Sequence, residues 1–560
     1  MTKTEQSFVL NTLELILQIV TQQQSEIQHL KDEINRLKGE QGKPNISGNT
    51  QKKESEPTSS PPSSNSPQSD SSETGSNKTN NSTNHSSEKE RKSTKRNKGK
   101  KGVKFTSDMV IDKELKIEIK DKTILPTDAV FKGYTSSYYQ TLEIVSKIIE
   151  VKRARYYSAI QGKTYTAPLP VEYEQGSDYT EELKGHAVML KSCFGMSVPQ
   201  IGDFMRMHGV KICNATISNI FLSKGEGLKQ EQQAIHLTGL AIGLYHQTDT
   251  TGSRVNGVNY HSHVFGNDYY TAYFTRPHKD RQTVLDLLRG DAPRRYLLHQ
   301  STLEIYDYLK IPKKIKRQIN PLLNQEITDK ATFTKQLEQV LDTEDFLRHK
   351  EKLLEGAYLA YYQTEDNLNI LVCDDAPQYK LLAMLIALCW VHIGRHFKKM
   401  NPKIKHHQVL LETFLKDFWA YYKRLKEYQQ QPDNLLARDL SADFDTLFSR
   451  KTGFDLLDQR IAKTKAKKEE LLVVLLHPYV PLHNNEAELA ARKEVRYRDI
   501  SFQTRNQRGT LAKDVFFTII QTCKKLGVNA YEYILDRVTR KMLMPSLVQL
   551  MTDKAATPVY

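Results

Sequence analysis

Three acidic blocks, far apart in the chain, carry the residues best suited to chemistry. The first, TDTTG (residues 248–252), offers Asp249; the second, CDDAPQY (373–379), offers Asp374 and Asp375; the third, HNNEAELAAR (483–492), offers Glu488. Carboxylates are hard oxygen ligands that suit a divalent cation keeping part of its water shell. Behind the second block stands CWVHIGRHFKK (389–399), a cluster of His392, Arg395 and His396 with lysines following. An acid at a strand end beside cationic side chains is a place where a metal and a polyanion meet. Blander roles compete. Asp374 and Asp375 also fit as caps of a following helix. Glu488 and Arg492, four residues apart, also fit as a surface ion pair worth about 0.2–0.5 kcal/mol. His392, Arg395 and Arg492 also fit as a structural polar cluster.

The elements that must position these acids are legible in the hydrophobic pattern. Residues 370–373 (ILVC) form a short apolar run bounded by polar residues, which predicts a buried strand ending at Asp374. Residues 241–247 read as a strand with Asp249 at its end, and 257–265 and 269–275 as two further strands joined through Gly-Asn-Asp. A helix over 280–288 follows, and the apolar stretch 381–388 after the second acid reads as helical. Three antiparallel strands with an acid on the first, a helix, and then a strand ending in an acid is the opening of a ribonuclease-H-like sheet. Adjacent strands lie roughly 5 Å apart, so pairing the two acidic strands would bring Asp249 and Asp374 together. Side-chain alternation lets only one of Asp374 and Asp375 face that site. The third acid arrives on a helix capped by Asn485.

Around this core the chain divides into segments. Residues 1–40 carry Leu13, Ile16, Val20, Gln23, Ile27, Leu30, Ile34 and Leu37 at alternating three- and four-residue steps, a coiled-coil seam that predicts self-association. Residues 41–104 are rich in Ser, Asn, Thr and Pro with few large apolar side chains, so they lack the surface to offset chain entropy and read as a disordered linker. Its basic end, with Lys95, Arg96, Lys100 and Lys101, suits sequence-independent phosphate contacts, and equally a solvated tail. Residues 105–180 read as a small α/β domain, with alternation in VIDKELKIEIK (110–120), a helix over 136–151 and a β-like stretch over 156–173. Residues 181–236 have a helix-turn-helix outline, with Ser197 as an N-cap and Gly209 at the turn. The core itself spans 237–500, with helical insertions at about 292–362 and 400–476, the latter built from patterns over 409–429, 435–448 and 454–476. Helices over 511–526 and 530–538 lie in the closing segment, 501–560. The predicted class is multidomain α+β.

Composition narrows the partners. A formal charge of +15, from 81 Lys and Arg against 66 Asp and Glu in 560 residues, points to an acidic partner such as nucleic acid. Five cysteines without a Cys-x-x-Cys pair argue against a zinc ribbon or a disulfide framework. The start MTKTEQSFVL lacks a secretory pattern, and the longest apolar run, 381–393, is too short to cross a bilayer. A soluble, cytoplasmic protein with no membrane partner is expected.

The three blocks, in their order and approximate spacing, resemble those of bacterial insertion-sequence transposases of the IS-sixty-six type. That family carries an aspartate in a D-E-T-G block, a second in a D-x-x-x-x-Y block followed by C-W-x-H-x-x-R, and a glutamate in a D-N-N-x-A-E block. The resemblance assigns Asp249, Asp374 and Glu488 as catalytic metal ligands, Asp374 being preferred because it leaves the family's distance to Tyr379. It implies a DDE transposase that cleaves DNA at the element's ends and joins the 3′-hydroxyl to target DNA, using two Mg²⁺ ions with Mn²⁺ as a substitute. Under it, His392, Arg395 and Arg492 contact DNA phosphate, and accessory insertion-sequence proteins join the DNA partner. Two other readings share the motifs: a catalytically inactive transposase-derived DNA-binding protein, and a ribonuclease-H-like structure-specific nuclease. Where the family usually has a cysteine-rich zinc module, residues 109–179 contain no cysteine, so no structural zinc is expected. Thr250 replaces the usual Glu and His483 the usual Asp.

Overall fold

The computed structural model describes residues 3–37, 111–118, 133–139, 141–170, 177–324, 326–365 and 368–557, with 129, 131 and 173 between them. The linker over 41–104, with Lys95, Arg96, Lys100 and Lys101, lies outside the described residues.

In chain order, α1 (Lys3–Leu37) is followed by a hairpin, β1 (Arg155–Ser158) and β2 (Lys163–Thr166), and four helices, α2 (Glu181–Ser192), α3 (Val198–Met207), α4 (Asn214–Gly227) and α5 (Lys229–Ile242). Next come β3 (His246–Val255), β4 (Val258–Gly266), β5 (Thr271–Arg276) and α6 (Arg281–Leu288). The first insertion contributes α7 (Gln300–Tyr308), α8 (Lys313–Gln318), α9 (Lys330–Val340) and α10 (Thr343–Tyr362) before β6 (Leu368–Cys373) and β7 (Ala383–Leu388). The second follows α11 (Trp390–Lys398) and comprises α12 (Lys405–Gln430), α13 (Asn434–Phe448), α14 (Asp455–Lys465) and the single turns α15 (Lys468–Leu471) and α16 (Val473–Leu476). The chain closes with α17 (Asn485–Ser501), α18 (Gln507–Leu526), α19 (Ala530–Val538) and α20 (Leu547–Ala556).

The centre is a five-stranded mixed sheet in the order β5-β4-β3-β6-β7, antiparallel through β5, β4 and β3 and parallel through β3, β6 and β7. Both faces are covered, as parallel strands require. Alternate residues divide between them. Phe265, Ala272, Phe274, Leu371 and Cys373 join the core built with α2–α10 and α18–α20. Val264 and Tyr273 pack against Ala490, Ala491 and Tyr497 of α17 and Phe517 of α18. The second insertion has its own core, where Trp390 meets Phe418, Tyr421, Phe444 and Phe448.

Several sequence expectations are corrected. The stretch 381–388 yields a strand, Ala383–Leu388, not a helix: Leu381 has φ of 67°, which breaks a helix, and Ala383–Leu388 pairs in parallel with β6. Short apolar runs do not distinguish the two states by pattern alone, and here an open sheet edge decided. The acid-bearing strand starts at His246, because α5 runs on to Ile242, and continues past Asp249 to Val255 by pairing with β4. The 454–476 pattern breaks into α14 and two single turns. The described residues of 111–118 and 136–151 adopt no regular structure. With Leu142 84% exposed and Ile148 fully so, no described residue covers the apolar face that would stabilise a short helix. In the α2–α4 segment Ser197 is the expected N-cap, and it also forms a capping box with Gln200, but α4 has no side-chain cap.

Helix α1 is fastened to the second insertion along its polar side. Glu14, 1% exposed, accepts from the backbone N–H groups of Lys403 and Ile404 at 2.7 and 2.9 Å, supplying the cap that α12 lacks of its own. Gln18 donates to it at 3.2 Å, and His407, 3.3 Å away, stacks on Phe454. One turn earlier Asn11 bonds to Gly453 O and Asp455 N. The heptad residues Leu13, Ile16, Val20, Ile27, Leu30 and Ile34 remain between 43% and 60% exposed.

A buried ionic network ties α17 and α18 to the sheet. Lys513 Nζ donates to Glu494 at 2.7 Å and Thr275 Oγ1 at 3.2 Å, and Ser253 Oγ donates to Glu494 at 2.8 Å. Asp514 accepts from Thr275 N at 2.6 Å. Removing one partner of such a pair leaves the other charge buried and unpaired. Lys513→Met should therefore destabilise the protein by about 3–5 kcal/mol in denaturant unfolding, and Lys513→Met with Glu494→Gln by clearly less. A double variant no better than the single one would show that packing, not charge, makes the tie.

Candidate active site

The register of the parallel pair brings the first two acids side by side. His246 pairs with Leu371 and Gln247 with Val372, so Asp249 and Asp374 each follow two residues further on, just past the paired ladder. Asp249 also lies opposite Val264, whose face is covered by α17. Period-two alternation thus turns Asp249 and Asp374 toward the helix that carries Glu488.

Each acid has a distinct environment. Asp249 accepts from its neighbour Thr250 N–H at 2.8 Å. Burial, with the charges of Asp374 and Glu488 nearby, pushes its carboxyl up to about 7, against the opposing pull of Thr250 N–H and Arg395. Asp374 accepts from Ala376 N at 3.2 Å and caps no α-helix; the turn beyond is a short 3₁₀ segment, Pro377–Tyr379. Asp375 is drawn elsewhere, into ion pairs with Lys380 at 3.2 Å and with Lys467. Glu488 receives both terminal nitrogens of Arg395, each at 3.1 Å, a bidentate pair. His392 Nδ1 lies 3.5 Å from Glu488. Because a guanidinium only donates, Arg395 bonded to His392 Nε2 at 3.1 Å fixes the imidazole as neutral with its proton on Nδ1. Burial lowers the His392 pKa in the same sense. Arg492 stands one turn along α17 from Glu488, half-buried.

The supporting residues were largely unread in the sequence. Asn484, the true N-cap position of α17 where Asn485 was expected, donates through Nδ2 to Thr248 O at 2.6 Å and through its backbone N–H to Cys389 Sγ at 3.3 Å. Trp390 N–H donates to Leu482 O at 3.0 Å and Nε1 to Leu471 O at 2.9 Å. The Cys-Trp pair therefore joins β7, α11 and the approach to α17. Thr250 Oγ1 bonds the buried Tyr379 hydroxyl at 2.8 Å across the two acidic strands. Arg281, buried on α6, donates to Pro377 O at 2.6 Å and Lys380 O at 3.0 Å, gripping the loop after Asp374, and pairs with Glu355 of α10. Tyr379 and Asn484 were visible as members of the acidic blocks; Arg281 left no local signal.

The charges of Asp374 and Glu488 bear on Asp249, a cost that bound positive charge would relieve, but among the described residues the ligand atoms of the three acids do not form a group within 4.8 Å of one another. Among the described residues, Cys389, His392 and Glu488 have ligand atoms within 4.8 Å of one another, but the Cys389 thiol is buried and held toward its neutral form.

An α+β protein with a five-stranded mixed sheet, covered on one face by the helix that carries Glu488, is the class this fold defines. Residues 348–512 match the family model described as Transposase IS66 family, a stretch that includes Asp374, the Cys-Trp block and Glu488. The resemblance read from the sequence is borne out there. Over 304 residues the chain is also 29% identical to a protein of Sinorhizobium fredii (strain NBRC 101917 / NGR234) named "Uncharacterized protein y4jO", covering 54% of this chain and 93% of that one.

The raised Asp249 pKa sets a pH dependence. Its folded-state value lies above the ordinary 3.8, so the stability it contributes is complete below about pH 4 and is lost as pH rises through about 7. Asp249→Asn removes that loss. In chelator, the variant should melt with the wild type near pH 4 and above it at pH 8; a gap that shrinks with rising pH would contradict the assignment.

Proposed function

We propose that this protein is a DDE transposase, cleaving DNA at the ends of an insertion sequence and joining the freed 3′-hydroxyl to target DNA. The observation that carries the reading is the shared register of Asp249 and Asp374 beside Glu488, within a chain whose segment 348–512 matches a transposase family. The strand order, three antiparallel strands followed by two parallel ones, supports a ribonuclease-H-like core spanning 237–500.

Asp249, Asp374 and Glu488 would hold two Mg²⁺ ions, with Mn²⁺ able to substitute. When bound, such ions activate the attacking oxygen and stabilise the leaving one. The chain's own residues bind and orient. Arg395, His392 and Arg492 offer donors to a phosphate near the acids, with Arg395 the charge available for exchange between Glu488 and DNA. Trp390, Asn484, Thr250, Tyr379 and Arg281 keep the two strands and α17 in a fixed relation. Asp375, engaged by Lys380 and Lys467, would be spared from the metal site.

The basic run with Lys95, Arg96, Lys100 and Lys101, and the helical segment α2–α4, would add DNA contacts. The exposed heptad side of α1 fits a second copy of this chain, since four heptads of matching apolar residues are self-complementary. Paired Ile16→Glu and Ile27→Glu should convert the protein to a monomer in sedimentation; an unchanged assembly would remove α1 from the interface.

The central test is Mg²⁺-dependent nicking of DNA bearing the element's ends. Alanine at Asp249, Asp374 or Glu488 should lower it by about 10³-fold or more, on the scale expected for loss of a principal charge-stabilising group, with DNA affinity kept. Asp375→Ala should nick. Binding without nicking by the wild type would indicate an inactive remnant, and nicking without joining a nuclease.

A further inference from the structure

Helix α17 carries Glu488 in its first turn and ends at Ser501; the next residue, Phe502, has φ of 57° and ψ of −53°. Gln503 N–H donates to Ser501 O at 2.6 Å, closing a three-residue turn around Phe502. That is a γ-turn of the rare, strained hand, unfavourable for a residue with a side chain. Packing of the ring does not compensate, because the residue is 76% exposed.

The turn is nevertheless held from several directions. Phe502 N–H donates to Arg498 O at 2.8 Å, and Thr504 is paired to the β3–β4 hairpin through Arg254 O at 3.1 Å and Asn256 N at 2.8 Å. Gln503 Oε1 accepts from Gly257 N, and Arg498 donates to Gly252 O at 2.6 Å. Arg254, Arg496 and Arg505 are exposed on the same hairpin, helix end and turn. Strain that the surroundings over-determine is characteristic of functional positions. A bare aromatic ring held on a tied-down turn, with exposed arginines on the same elements, suits a flat base on an anionic backbone.

We propose that Phe502 is a base-stacking wedge that engages an unpaired nucleotide of the bound DNA. From Glu488 to Phe502 the helix extends about 21 Å at about 1.5 Å per residue. At about 3.4 Å per nucleotide, the stacked base lies about six nucleotides from the phosphate at the acids. This inference rests on the transposase reading, because it needs DNA at that site.

The test is a set of duplexes bearing the element's end, fully paired or with one unpaired base placed at successive positions from the cleaved bond, titrated in calcium to prevent cleavage. The wild type should bind about tenfold tighter when the unpaired base lies near the sixth nucleotide. Phe502→Ala should lose that preference while binding the paired duplex as before, and Phe502→Trp should keep it. Phe502→Gly, which accepts positive φ, should lose the preference yet melt at or above the wild-type temperature. Retention of the preference by Phe502→Ala, or a lower melting temperature of Phe502→Gly, overturns the wedge. If the wild type binds none of the duplexes, the transposase reading falls first and the wedge with it.

Discussion

The structure depends on tolerating three carboxylates in one partly buried place. Like charges on adjacent strands repel, and the repulsion grows as water is removed. Two responses are visible in the chain itself. Asp249 is pushed toward its neutral form, and Glu488 is clasped by both arms of Arg395, whose guanidinium also fixes the His392 tautomer. The sheet and α17 hold the acids together against this cost through Asn484 on Thr248, Trp390 on Leu482 and Leu471, and the Lys513–Glu494 tie.

Much of this was legible in the sequence because the acids stand in short blocks with local structure of their own. The run ILVC before Asp374 reads as a strand, and β3, β4 and β5 are recognisable by alternation and by the Gly-Asn-Asp link. The juxtaposition of Asp249 and Asp374 followed from pairing those strands, and the register agrees. Parity alone does not separate Asp374 from Asp375; the spacing to Tyr379 favours Asp374, and the structure adds that Asp375 is engaged by lysines. The lysines that claim Asp375, Lys380 and Lys467, come from a loop and from the end of the second insertion.

What failed did so where long-range contacts decide. An apolar run at 381–388 becomes a strand because β6 offers an unpaired edge. The described residues of 136–151, whose pattern is helical, adopt no regular structure, and Leu142 and Ile148 there are left exposed. Buried ionic side chains such as Lys513, Arg281 and Glu14 look like surface residues in a one-dimensional pattern, because their partners are hundreds of positions away or in separate segments.

Helix α1 has two working sides. Ser7, Asn11 and Glu14 grip the second insertion, whereas Ile27, Leu30 and Ile34 further along are exposed. A 35-residue helix is about 52 Å long at about 1.5 Å per residue, and the three gripping side chains sit in its first half. The Glu14 carboxylate thereby couples the tilt of this helix to the first turn of α12, and through it to the aromatic core that surrounds Trp390.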